Sequence, residues 1–392
     1  MLKYLLLVSI TLLFMGCSKM TISNFDNLNN YISTNDLKED IDRLVEPLIN
    51  GKEDVGIVVS VHKDNNNFTY AYGHKDNFHK KPMQEDTIFG IGSSTKSMVI
   101  SLLLILDNEG YLSLDETIGD ILPKNLHYKD GNIRNITLKE LAIHSSGLPR
   151  EPLSLESLSL AVKYQFTGDN IYAYIDRDYM YKYLSEMTID KNSKNKAMYS
   201  NMGVALLGHV LTLKMNKSLE ELLKEYLFEP LDMKNTAFTL NNKQIQMLSE
   251  GHVGDFPLFM NRNEPLENWK FSTFMEGTGG LYSNAEDIMK FLEANLGQSN
   301  TKLDAILNKS HEILTKDDSL YFTLGWEVQY IPKYDTYIHF KYGVIAGFSC
   351  YMGMELKSKT AIVVLKNNFN WEDKIGHQIL LEMALSKEYG LY

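Results

Sequence analysis

The sequence predicts an α+β fold, an α/β sandwich in which one antiparallel sheet, flanked by helices, is built from the N- and C-terminal segments around an inserted all-helical lobe. Three observations carry that expectation. Short runs rich in β-branched and aromatic residues stand at both ends of the 392-residue chain: Val55–Val61 and Phe68–Tyr72 early, then Leu324–Tyr330, Tyr337–Lys341, Phe348–Met354 and Ala361–Leu365 late. Helical and loop-forming text fills roughly residues 110 to 250 between them. A helix follows Ser94 in which Met98, Val99, Ile100, Leu102, Leu103, Leu104, Ile105 and Leu106 leave almost no polar face, the mark of a buried central helix. The folded unit is expected over 36–392, with 36–92 and 260–392 forming the sheet part and 93–259 the helical lobe.

The N-terminus reads as an address. Lys3 supplies a positive start, and Leu5–Met15 is an apolar run too short to span a bilayer comfortably. It ends in Leu13-Phe14-Met15-Gly16-Cys17, which resembles the bacterial lipoprotein signal, so residues 1–16 are expected to be removed and Cys17 to become the lipid-modified N-terminus. A plain uncleaved anchor or an ordinary signal peptide is the competing reading. Residues 17–35, polar and rich in asparagine, read as a flexible tether. The expected location is the cell envelope, exported and lipid-anchored on the periplasmic or outer surface side of a membrane.

Composition narrows the partners. The formal net charge is −11 and no cluster of lysines or arginines interrupts it, which argues against nucleic acid. With Cys17 acylated, Cys350 has no cysteine left to pair with, so no disulfide framework is expected. Cys350 falls in a strand pattern and reads as a small buried apolar residue. The ten histidines are scattered without metal-ligand spacing. No metal and no cofactor are expected, and the chain is expected to be a monomer.

The remaining elements follow in order. Leu37, Ile41, Leu44 and Leu48 recur at helical spacing, and Lys63–Asn67 is a turn between two strands. The central helix stops at Asn108-Glu109-Gly110, where glycine suits a left-handed cap. Thr137 and Glu140 form a capping box. Tyr164, Phe166, Tyr172, Tyr174, Tyr179, Tyr181 and Tyr183 serve either as packing of the inserted lobe, the favoured reading, or as one wall of a substrate cleft. Val204–Leu213 and Leu219–Leu227 are helical, Asn284 and Asp287 cap a helix over Ala285–Leu296, and a last helix is expected over Trp371–Leu385.

The chemistry centres on Phe89-Gly90-Ile91-Gly92-Ser93-Ser94-Thr95-Lys96. Ser93 would stand at the N-terminus of the buried helix, where free backbone N–H groups and the dipole favour developing negative charge. Lys96 lies one turn on, an arrangement that activates a hydroxyl nucleophile without histidine. Ser-x-x-Lys also occurs at Ser60–Lys63, Ser193–Lys196 and Ser299–Lys302, but only Ser93–Lys96 has the glycine lead-in and the buried helix. Tyr199-Ser200-Asn201 precedes a helix. A phenol can take a proton when nearby cations lower its pKa from about 10, and an asparagine amide can both donate to and accept from a peptide bond. The repeat Tyr282-Ser283-Asn284 is set aside because Asn284 is a helix cap. Lys341-Tyr342-Gly343-Val344 lies at a strand edge that could take an anionic, peptide-like substrate by strand addition. His144, beside a Ser-Gly turn, reads as a structural group.

Ser93-Ser94-Thr95-Lys96, Tyr199-Ser200-Asn201 and Lys341-Tyr342-Gly343, in that order, resemble the three boxes of class C-type serine β-lactamases and penicillin-binding proteins. Flanking text agrees, including His144-Ser145-Ser146-Gly147-Leu148-Pro149 and Gly279-Gly280-Leu281. Within that group, Leu148-Pro149-Arg150-Glu151-Pro152 and the third-box lysine look most like the AmpH-type D-alanyl-D-alanine carboxypeptidase/endopeptidases. The resemblance implies a β-lactamase/transpeptidase-like fold and a serine hydrolase acting on peptidoglycan stem peptides or β-lactams. Ser93 would be the nucleophile, Lys96 and Tyr199 would handle the proton, and Asn201 would orient the acyl amide. Lys341 would lower the tyrosine pKa and attract a carboxylate, the N–H groups of Ser93 and Val344 would form the oxyanion hole, and Tyr342 and Gly343 would touch substrate. Tyr342 stands where the group carries threonine or serine, so peptide, β-lactam and ester substrates all stay open. A β-lactamase or esterase of the same fold, and a penicillin-binding sensor or non-catalytic scaffold, are the rival functions.

Overall fold

The computed structural model describes residues 36–385, apart from 52–53, 153, 171, 190–195, 318–319 and 371–373. The signal, Cys17 and tether expectations therefore lie outside the described residues.

An eight-stranded antiparallel sheet forms the frame. Its strands are β1 (Gly56–Lys63), β2 (Asn66–Gly73), β3 (Thr315–Lys316), β4 (Tyr321–Phe322), β5 (Glu327–Ile331), β6 (Thr336–Ile345), β7 (Phe348–Glu355) and β8 (Thr360–Lys366). The spatial order is β2-β1-β8-β7-β6-β5-β4-β3, so β1 from the N-terminal part pairs with β8 from the C-terminal part. The β1–β2 hairpin closes through Asp64 and Asn65, both at positive φ, a conformation these short polar side chains tolerate.

Strand alternation divides the apolar residues into two cores. Val58, Met352, Met354, Val363 and Leu365 face one core, with α2 (Thr95–Asn108) and the helical region. Ile57, Val59, Val61, Phe340, Tyr351, Ile362 and Val364 face the other, under α1 (Leu37–Asn50) and the last helix, Lys374–Leu385. In α2 every residue from Thr95 to Leu106 is buried, as its all-round apolar sequence requires. The lobe contributes α3 (Leu155–Thr167), α4 (Arg177–Glu186) and α5 (Asn201–Met215). Beyond it α6 (Ala285–Asn295), capped by Asn284 through the Asp287 N–H, returns to the sheet.

Several boundaries differ from expectation for local reasons. β5 starts at Glu327 rather than Leu324, because Gly325 at φ +100° breaks the extended backbone. β6 runs past Lys341 to Ile345. Two-residue strands such as β3 and β4 are too short to show a period, and the sequence does not reveal them. The third box was expected at a strand edge, yet β6 lies between β7 and β5. Its pairing with β5 ends at Phe340↔Glu327, so only Lys341–Ile345 has an open side.

Candidate active site

Ser93 is held by a tight junction of three chain segments. Phe89 and Gly90 pair with Ser283 and Tyr282, and the Ile91 N–H donates to the Leu281 carbonyl at 3.0 Å. A 3-10 turn over Gly92–Ser94 then leads into α2. Gly92 has φ +50°, and a Cβ there would lie 2.7 Å from the Val344 nitrogen. A Cβ on Gly343 would lie 2.0 Å from the Ile91 carbonyl oxygen and 2.8 Å from the Ser93 nitrogen. Only glycine on both sides lets β6 approach the nucleophile turn this closely. Ser93 and Val344 both line the adjoining cleft. Lys96 is fully buried, and its Nζ donates to Ser93 Oγ at 2.9 Å and to the Thr278 carbonyl at 2.5 Å.

Tyr199 is placed by the start of α5. Ser200 caps that helix: its Oγ accepts from the Gly203 N–H at 2.8 Å and donates to the Pro149 carbonyl at 2.6 Å. His144 braces the same segment from below. Its carbonyl accepts from Met198 N–H at 2.7 Å and its Nδ1 accepts from Ser200 N–H at 3.2 Å, while its ring lies 4.5 Å from the Tyr199 ring. Burial, then the charges of Lys341, Lys96 and Arg150, push the His144 pKa well below the usual value, so the imidazole is neutral. Three cations surround the Tyr199 ring: Lys341 Nζ at 4.6 Å, Arg150 Cζ at 5.0 Å and Lys96 Nζ at 5.3 Å from its centroid. Cations so placed are attracted to the face of the ring.

Lys341 is paired with Glu327 at 2.7 Å, with both side chains almost wholly buried. Tyr342 departs from expectation. Like Gly343 it is expected among the substrate-binding residues, and like Gly343 it is absent from the cleft wall. It lies in the core with Phe340 and Tyr351, and its hydroxyl donates to the Asn370 carbonyl. The cause is the period of two along β6: with Lys341 and Gly343 turned to the nucleophile, Tyr342 must face the other side of the sheet.

Asn201 lines the cleft with Ser93, and its Nδ2 donates to Glu151 Oε1 and, at 3.3 Å, to the Tyr172 hydroxyl. Tyr172 in turn donates to Glu151 Oε1 at 2.9 Å. Burial raises the Glu151 pKa, against the opposing pull of Arg150, Asn201 and Tyr172. The cleft encloses about 1,020 Å³ including its open mouth, and Tyr164, Tyr172, Trp269 and Phe271 form an aromatic wall. The aromatic run of the lobe thus serves both roles read from the sequence: Tyr164 and Tyr172 line the cleft, Tyr179, Tyr181 and Tyr183 pack on the core, and Tyr174 is exposed. Sequence reasoning assigned no role to Arg150, Glu151, Thr278 or Glu327. The charged pair directly after Gly147-Leu148-Pro149 was the one available signal.

The three boxes thus meet at one place. A hydroxyl at a helix N-terminus, a buried ammonium bonded to it, a phenol among cations and two backbone nitrogens beside it suit nucleophilic acyl transfer.

Comparison with known proteins agrees. The Beta-lactamase family model matches residues 41–382. A beta-lactamase of Providencia stuartii is 24% identical over 294 residues, 74% of this chain and 68% of that protein. The D-alanyl-D-alanine-carboxypeptidase/endopeptidase AmpH of Escherichia coli (strain K12) is 27% identical over 256 residues, 65% of this chain, and the match spans only 61% of AmpH. The crystal structure of a class C beta-lactamase from Rhodobacter sphaeroides superposes with a TM-score of 0.73 at 20% identity, covering 88% of this chain and 98% of that one, a likeness of fold.

Proposed function

Because the chain belongs to the beta-lactamase family, we propose that it is an envelope serine hydrolase acting through a Ser93 acyl-enzyme on D-Ala-D-Ala-type peptidoglycan peptides, in the manner of DD-carboxypeptidase/endopeptidases. The observation that carries this reading is the 2.9 Å hydrogen bond from Lys96 Nζ to Ser93 Oγ, made while Lys96 and Lys341 both stand over the Tyr199 ring. Ser93 Oγ attacks the carbonyl and its proton passes to the Lys96–Tyr199 pair. The oxyanion is held by the N–H groups of Ser93 and Val344, each donor worth about 3 kcal/mol. The same pair returns the proton to the leaving amine, and water then cleaves the acyl-enzyme.

A β-lactamase or esterase of the same fold is the second reading. Within it Tyr342 favours the esterase, because its withdrawn phenol leaves no third-box hydroxyl beside Lys341 for the carboxylate that D-Ala-D-Ala peptides and β-lactams both carry. Labelling with a fluorescent penicillin, lost in Ser93→Ala, tests the acyl-enzyme. D-Ala release from a muropeptide, run beside a chromogenic cephalosporin and a small ester, tests the substrate. Rapid cephalosporin turnover without D-Ala release sinks the peptidase reading, ester cleavage without labelling favours the esterase, labelling without turnover favours a penicillin-binding sensor, and no reaction with any probe favours a scaffold. The lipid anchor belongs to the same proposal: Cys17→Ala should free the protein from membranes, and unchanged association counts against lipidation.

A further inference from the structure

The hydrogen-bond inventory beside the nucleophile is unbalanced. Glu151 Oε1 accepts from both Asn201 Nδ2 and the Tyr172 hydroxyl. Glu151 Oε2 and Asn201 Oδ1 are buried and accept nothing. The two residues are 6% and 5% exposed, and both line the cleft that holds Ser93. The orientation of the Asn201 amide follows from the carboxylate: turning it over would set its oxygen against Glu151 and lose the donor that Oε1 uses. Two residues of the cleft wall thus each keep one buried acceptor without a donor, a cost that a ligand pressing between them would relieve.

We infer that Glu151 Oε2 and Asn201 Oδ1 form a subsite for a primary ammonium on the acyl portion of the substrate. A substrate amide N–H would satisfy one of the two oxygens. An ammonium carries three donors, enough for both, and it adds to the positive charge with which Arg150 already opposes the carboxylate. The neighbouring wall suits the carbon body of such a group: the Tyr172 and Phe271 rings stack at 5.3 Å, with Trp269 5.7 Å from Tyr172. Aromatic faces also attract cations. Arg150, over the Tyr199 ring, and Lys96, on Ser93, act on the Glu151 charge through space, yet neither donates a hydrogen bond to Oε2.

This rests on the acyl-enzyme reading, and the test separates the two. Ampicillin and benzylpenicillin differ by one α-ammonium on the acyl side chain. The second-order rate of Ser93 acylation, followed by intact-protein mass spectrometry, should be at least about tenfold higher for ampicillin, the scale of a charge-assisted hydrogen bond. Acetylating the ampicillin amine should return the rate to that of benzylpenicillin, and in Glu151→Gln the ratio should fall to near one. Equal wild-type rates, or a preference for ampicillin that survives acetylation or the Glu151→Gln change, overturn the subsite while leaving the nucleophile in place. Labelling by neither penicillin refutes the acyl-enzyme, and the subsite falls with it.

Discussion

Gly343→Ala tests whether the close approach of β6 to the nucleophile turn sets the reaction geometry. The added methyl would meet the Ile91 carbonyl oxygen at 2.0 Å and the nitrogens of Ser93 and Ser94 at 2.8 and 2.9 Å, all backbone atoms that cannot rotate away. To regain an ordinary contact of 3.4 Å or more the strand must retreat from the turn by roughly 1.4 Å, carrying the Val344 N–H with it. A displacement of about 1 Å costs on the order of a hundredfold in a positioned reaction. Acylation by a fluorescent penicillin should therefore fall by about two orders of magnitude. The β6–β7 ladder, paired from Ile338↔Glu355 to Ile345↔Phe348, should hold, with overpacking costing about 1–3 kcal/mol. The assay is the labelling rate measured beside a urea unfolding curve. A variant that labels at the wild-type rate would show that the Val344 N–H is not part of the oxyanion site.

Glu327→Ala should lower the unfolding free energy by about 3 kcal/mol, because it removes the carboxylate paired with the buried Lys341 ammonium; a loss below about 1 kcal/mol in urea titration would show that the pair contributes no more than an exposed one. Acid should destabilise the fold. Burial holds His377 and His311 down to about 3 and His339 to about 4. The unfolded chain takes up protons below about 6.5 that the folded state refuses. Stability is therefore full above that pH and falls as pH drops from 6.5 toward the folded values. His377, packed on Phe340 and Tyr351, should account for about 2 kcal/mol of the loss by pH 5. His377→Phe should flatten the pH dependence by that amount, and an unchanged slope would mean that the ring titrates freely in the fold.

What the sequence disclosed about the site was whatever a local pattern could encode. Ser93 and Lys96 share one turn of helix, and their glycine lead-in and apolar run are adjacent text. Tyr199 and Asn201 flank a serine that caps α5, again a signal of three residues. Glu327 was illegible because it meets Lys341 only through the register of β5 on β6. Glu151 and Tyr172 were illegible as partners of Asn201 because three separate parts of the lobe must fold before they meet. Tyr342 was misplaced for a different reason. Reading Lys341-Tyr342-Gly343 as one unit overrode the alternation that assigns its middle residue to the opposite face.

That division also sorts the cleft by function. The reacting half holds its side chains, Ser93, Lys96 and Tyr199, on tightly packed backbone: two glycines, a helix N-terminus and a strand near its end, each tolerating almost no change of shape. The acyl half is built from side chains, Glu151 and Tyr172 of the lobe with Trp269 and Phe271 of the segment after it, which touch neither Ser93 nor Lys96 by any hydrogen bond among the described residues. A substitution in the first group alters the rate on every substrate, since it moves the attacking or stabilising atoms. A substitution in the second alters the preference among acyl groups while the attack geometry stays as it is. Comparing Gly343→Ala with Glu151→Gln across the same pair of penicillins separates the two halves. The first should depress both rates by one common factor, and the second should change their ratio.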